Sequence, residues 1–288
     1  MLETRAPSRT TQPPPEQRLR DPIIAKFEQQ VRRGRRRRHA AVVSSRIAIL
    51  VAFFGAWQLV GGSSDYWRFV ISTPAATAET LWGWLVDPAF WTNDVWTTVQ
   101  EAGLGYLIGI AVGVTLVVLV IAIPGGFDFL SPFLAAANAL PKIVLAPLFI
   151  IWFGLSMIGK VVFVAAAIFF IVFYGLHSGL RSIDQNLVDN ARMLGGSTFQ
   201  LVPTLYVPAV MTWLVVSLRL SATFSLLAAV VAEYIGARAG LGHLIAAGRS
   251  ALDASEVLAG VFFLGVMALV FDRLLLRVQR RYEQRTVF

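Results

Sequence analysis

Long apolar runs and polar intervals alternate along this chain. The runs cover roughly 43–60, 102–123, 130–153, 161–179, 209–235 and 257–276. Several approach or exceed the ~18 apolar residues that mark a helix crossing a hydrocarbon core. The pattern predicts an all-α polytopic membrane protein with about six transmembrane helices. Within the second run, Gly103, Gly105, Gly109 and Gly113 leave one helix face small, which permits close packing. Pro141 and Pro147 predict a third span broken twice, with its freed backbone groups satisfied by neighbouring helices or a water-filled cavity. Thr73-Pro74 predicts a short surface helix near 75–86, and Gly240-Leu241-Gly242 predicts a bend or re-entrant turn.

One polar interval, Ser182 to Pro208, reads as ordered structure. Ser182 with Gln185, and Ser197 with Gln200, have the spacing of capping boxes. Gly195 and Gly196 between them suit a left-handed helix stop. The interval therefore predicts two short helices, about 184–194 and 198–206, joined at a glycine elbow. Leu187, Ala191 and Leu194 fall at i, i+4 and i+7 and make a narrow apolar stripe on the first. That stripe requires the membrane domain behind it or a partner in front. Pro208 is placed to open the fifth span.

Composition agrees with a membrane protein: 56% of the 288 residues are hydrophobic and mean hydropathy is +0.66. There is no cysteine, which excludes a disulfide framework and a cysteine-based metal site. The net charge of +8 is an end effect, because nearly half of the Lys and Arg precede Ile47. Residues 1–40 carry Pro13-Pro14-Pro15 and the cluster Arg32, Arg33, Arg35–Arg38, and cannot bury a core. They read as a disordered basic tail, with a short surface helix over Asp21–Val31 as an option. A basic run just before an apolar segment favours the positive-inside reading over a nucleic-acid partner. Both termini are then cytoplasmic, and no cleaved leader is expected.

Charges at membrane depth mark functional candidates. Lys142 follows the first proline break, and is either a pathway residue or a lysine reaching to the nearer interface. Arg219 lies eleven residues past Pro208, about 16 Å along a helix, and needs a partner from another helix or an anionic solute. Glu233 is about 21 Å further on, too far to pair with it within one helix. Glu101 reads as an interfacial residue. Gly154 to Val161 has the Gly and Lys spacing of a phosphate loop, but Val161 stands where a hydroxyl must hold magnesium. Its expected role is a tight turn with Lys160 as a cationic anchor.

Asp189-Asn190-Ala191-Arg192-Met193-Leu194-Gly195, nine residues, then Leu205-Tyr206-Val207-Pro208, resembles the EAA loop of ABC importer permeases. Ala191, Gly195 and Pro208 match that pattern, whereas Asp189, Asn190, Leu205 and Val207 depart from it. Ala139-Leu140-Pro141-Lys142 through Trp152-Phe153-Gly154 resembles the permeases for nitrate, sulfonate and taurine. So do Gly179–Asp184, and Ala232-Glu233 with Gly240-Leu241-Gly242. The resemblance spans about residues 66–281 and leaves the basic tail uncovered. It implies a type I importer permease over 41–288, with 182–208 as the loop that couples to an ATPase. The implied coupling residues are Asp189, Asn190, Ala191, Gly195, Leu205 and Pro208.

It further implies a second permease copy, a pair of cytoplasmic ATPases that hold the ATP and magnesium, and an extracytoplasmic solute-binding protein. No cofactor and no catalytic or metal-binding residue is expected in this chain. Small anions such as sulfonates, taurine or nitrate lead as solutes, with thiamine precursors, riboflavin or aromatic carboxylates as the alternative. A stand-alone secondary transporter or channel is the rival class, although it would not need the capped polar loop.

Overall fold

The computed structural model describes residues 41–123 and 125–286. The basic tail expected over 1–40, with its optional helix at Asp21–Val31, lies outside them. Among the described residues every regular element is helical. Two compact units divide after Val60. The described part of the first is α1 (Ala41–Gly61 with its last residue beyond the division), apolar and long enough to cross a membrane.

The second unit opens with α2 (Asp65–Ile71), capped by Ser64, whose hydroxyl accepts from the Trp67 amide. The surface helix expected near 75–86 is α3 (Pro74–Val86), with Thr73 accepting from the Ala76 amide and Pro74 in the first turn. A π-type turn at Phe90–Val95 leads into α4 (Trp96–Ala122). This span therefore begins well before Ala102. The reason is aromatic packing: Phe90 is buried against Trp84 and Phe263, with ring centroids 5.7 and 5.0 Å away.

The third span bends by 92° between α5 (Gly126–Ala139) and α6 (Lys142–Phe153). The break falls at Pro141 alone; Pro147 lies inside α6, contrary to the sequence expectation of two breaks. Leu140, before Pro141, adopts the extended backbone (φ −68°, ψ 132°) that the proline ring forces on its predecessor. Pro147 removes one helical donor without ending the helix.

At the centre lies α7 (Met157–Arg181), whose Val164, Ile168, Val172, Phe173 and Leu176 are almost wholly buried. It runs parallel to α4, and Gly105, Gly109 and Gly113 lie against Val164, Ile168 and Val172 in turn. A Cβ on Gly109 would come within 2.7 Å of the Ile168 Cβ. The small face expected on the second span is thus a helix–helix seam, with Gly103 outside it. On its other side α7 meets α10 (Val207–Gly236) antiparallel, with Gly175 over Ser217 and Gly179 over Trp213.

Pro208 stands in the first turn of α10 as expected, but the apolar helical stretch begins slightly earlier, at Val202. Helical structure is continuous from α9 (Thr198–Leu201) through a π-type turn at Val202–Tyr206 into α10. Pro203 and Pro208 lack amide donors and would crowd the carbonyls four residues back. The wider turn accommodates them, with the Val207 amide bonding Val202 instead. The remaining elements are α11 (Leu241–Ala251) and α12 (Ala254–Thr286), apolar enough to span over Ala254–Leu274. Among the described residues five helices qualify as spans by length and composition, and the bent α5–α6 pair makes six.

Candidate functional site: an exposed loop and a buried charge cluster

The polar interval holds α8 (Gln185–Met193). Its cap is Asp184, whose carboxylate accepts from the Asn186 amide at 2.9 Å, and not Ser182. Ser182 still ends α7: its hydroxyl donates to the Gly179 carbonyl at 2.7 Å, so the expected capping box with Gln185 does not form. The stop is as expected. The Gly196 amide bonds Ala191 and the Gly195 amide bonds Arg192, both at 2.9 Å, the paired bonds of a Schellman motif. Gly195 takes φ +85°, which disfavours any residue with a Cβ. At the next start Ser197 keeps half of its box: its amide donates to Gln200 Oε1 at 2.9 Å, while its hydroxyl turns to the same oxygen.

The apolar face of α8 differs from the expected stripe. Val188 is the buried residue, whereas Leu187 is 55% exposed, Met193 78% and Leu194 89%. Asp189, Asn190 and Gly195 are exposed, Ala191 and Leu205 half-buried, and Pro208 exposed. The helix is thus anchored by one valine and offers leucine, methionine and acid on the outside. Apolar side chains left open beside polar ones are the pattern that a docking helix buries in a groove.

The membrane-depth charges separate into three places. Arg219 donates from Nε and Nη2 to Asp272 Oδ1 on α12, each at 3.2 Å. The partner that its depth demanded therefore comes from another helix. Lys142 donates to the carbonyl and Oδ1 of Asn138, at 3.2 and 2.8 Å, and stands over the Phe170 ring. Glu233 belongs to a buried network that the sequence did not reveal. It accepts from Thr98 Oγ1 and from the Gly242 amide, each at 2.7 Å. Thr98 in turn accepts from the Leu241 amide at 3.0 Å, and Asp94 accepts from the Gly240 amide at 2.9 Å.

Gly240, Leu241 and Gly242 are the first-turn donors of α11, so α10, α4 and the π-type turn before α4 together tie down its start. Gly240 at φ +113° allows this approach, since a Cβ there would strike the Glu233 carboxyl. Beside this network Lys160 pairs with Glu101. Both are buried, the glutamate completely. Glu233 lies close enough for both charges to act on it. Two corrections follow: Glu101 is not interfacial, and Lys160 is not a turn anchor. The signal available in the sequence was that a buried lysine needs a carboxylate at its own depth.

Residues 126–287 match the family described as binding-protein-dependent transport system inner membrane component. A putative aliphatic sulfonates transport permease, SsuC of Bacillus subtilis, is 28% identical over 81% of this chain and 83% of its own. The riboflavin transport system permease RibX of Chloroflexus aurantiacus is 28% identical over 79% and 85%. The formylaminopyrimidine transport permease ThiX of Halalkalibacterium halodurans is 27% identical over 60% and 69%. A solved inward-facing structure of the MetNI methionine ABC transporter shares the fold, with TM-score 0.57 at 18% identity, covering 68% of this chain and 98% of its own.

Proposed function

The chain belongs to the family of binding-protein-dependent transport system inner membrane components, the permeases of ABC importers, and on that premise we propose that its solute is a small sulfonate. Two copies would enclose the pathway, with a cytoplasmic ATPase pair beneath and a solute-binding protein on the far side. ATP binds and is hydrolysed on the ATPases. Their closure would carry α8 with it and switch the pathway between inward- and outward-facing states. In a bacterial inner membrane, with both termini cytoplasmic, the 182–208 loop then faces the ATPases.

The observation that carries the coupling role is α8 itself: capped at both ends, held by Val188, and exposing Leu187, Met193 and Leu194 beside Asp189. A carrier that works without an ATPase has no use for such a surface. The solute class is supported by the sulfonate permease relatives from two organisms, the second from Escherichia coli at 28% identity over 81% of this chain. The riboflavin and formylaminopyrimidine permeases supply the second reading. Thermal unfolding of the partner binding protein decides between them. Alkanesulfonates should raise its melting temperature while riboflavin, formylaminopyrimidine and nitrate do not. A rise with riboflavin or formylaminopyrimidine instead would transfer the assignment to the vitamin-type solutes.

A further inference from the structure

A cavity of about 270 Å³ opens where α4 and α7 end and α5 and α8 begin. It is near the small end of ligand-sized sites. Its floor is apolar and includes the buried Val117 and Phe173. Its rim is polar. Asp128 in the first turn of α5, Arg181 at the end of α7 and Gln185 at the start of α8 all line it, and all are exposed. His177 lines it too, one turn before Arg181 on the same face of α7. The His177 ring lies flat on Phe127, with centroids 3.5 Å apart and planes 9° from parallel, which holds the imidazole in place. Among the described residues the ion pairs are Lys160–Glu101 and Arg219–Asp272, so Asp128 and Arg181 face one cavity without pairing. Two opposite charges arranged in this way leave room for an occupant that carries both. The level is also informative. The apolar stretch of α4 ends at Ile121 and that of α7 at Arg181, where hydrocarbon gives way to head groups. Toward the hydrocarbon, Ile121 and Val118 stand one turn apart on α4, apolar and exposed.

We propose that this cavity binds the head group of a phospholipid that carries a primary ammonium beyond its phosphate. The phosphate sits on Arg181, His177 and Gln185, the ammonium on Asp128, and an acyl chain along Ile121 and Val118. The site is independent of which solute is transported. A guanidinium grips a phosphate through two parallel N–H bonds, and such charge-assisted bonds are the strong ones. The imidazole and the side-chain amide each add a donor. The carboxylate of Asp128 is an acceptor only, and a primary ammonium brings three donors to it. Two carbons separate phosphate from ammonium in such a head group, so both charges fit one small cavity. Basic pockets between helices at the cytoplasmic face are suited to head groups. Other occupants satisfy only part of this lining. A lipid with phosphate alone sets a second anion beside Asp128, and a trimethylated ammonium has no N–H to give it. A soluble phosphate leaves Ile121 and Val118 uncovered, and a side chain from a partner subunit brings a single charge.

Native mass spectrometry of the complete transporter, stripped of lipid in detergent, tests the proposal. Dioleoyl phosphatidylethanolamine, phosphatidylcholine and phosphatidylglycerol are added in turn. Phosphatidylethanolamine should half-saturate the native protein at a concentration about tenfold lower than either of the others, the worth of one charge-assisted hydrogen bond. Arg181→Gln should raise that concentration about tenfold. Asp128→Asn should abolish the preference over phosphatidylcholine and leave the phosphate bound. Both side chains are exposed, so neither change opens the core. Equal affinity of the native protein for the three lipids overturns the proposal, and this comparison needs no variant. Tighter binding of phosphatidylglycerol overturns it as well, since the cavity is then a site for anions alone. A preference that survives both substitutions places the lipid elsewhere. Displacement of phosphatidylethanolamine by inorganic phosphate assigns the cavity to a soluble anion instead. Failure of the complete transporter to retain any of the lipids means that its other subunits cover the cavity, and contradicts the proposal too.

Discussion

Lys160 faces two carboxylates, Glu101 in direct contact and Glu233 nearby. A buried charge left without its partner costs about 3–5 kcal/mol, so the three residues are not equivalent under substitution. Glu101→Gln leaves the lysine with Glu233 to balance it. Lys160→Met leaves two buried carboxylates with no cation, and should be the more damaging by about 2 kcal/mol or more. The amount of membrane-inserted protein and its melting temperature in detergent should follow the order native, Glu101→Gln, Lys160→Met. Equal losses for the two variants would show that the cluster is not organised around the lysine. The individual charges were visible along the chain, but their partnerships were not. Arg219 finds Asp272 fifty-three positions away, and Glu233 finds Thr98 at a separation of 135. A linear pattern sets the depth of such a charge and says nothing of which helix meets it.

Elements were more legible, because helix periodicity and capping are local. Five of the six apolar runs became single helices, and the glycine stop at Gly195 formed as its sequence dictates. Errors arose where two local signals competed. Ser182 could cap α8 or close α7, and the Gly179 carbonyl claims it. Pro208 does sit in the first turn of α10 as expected, while Pro203 falls inside the widened turn that precedes it. The glycine seam of α4 shows how tightly an element can be specified. Gly109→Leu would force a side chain into Ile168 and the Ala165 carbonyl, whereas a Cβ on Gly103 meets nothing within 4 Å. Overpacking of this kind costs about 1–3 kcal/mol. Gly109→Leu should therefore lower the melting temperature of the purified protein while Gly103→Ala leaves it unchanged. A harmless Gly109→Leu would mean that α4 and α7 pack less closely than described.

Because the native chain has no cysteine, single thiols report the side of the membrane directly. Ser64 and Asn190 are both exposed. A cysteine at Ser64 should react with an impermeant reagent added to intact cells, and one at Asn190 should not. Labelling of position 190 from outside would reverse the proposed cytoplasmic placement of the 182–208 loop. The family was legible in the register of Ala191, Gly195 and Pro208. The solute was not, since relatives named for aliphatic sulfonates and for riboflavin are equally similar to this chain.

The central claim is that α8 meets an ATPase. A photoreactive residue at Leu194, 89% exposed at the tip of the loop, tests it most directly in the intact importer. Illumination should join this chain covalently to the ATPase, in a yield that changes when ATP is added. A normally inserted protein that forms adducts only with lipid or with itself at that position would contradict the account.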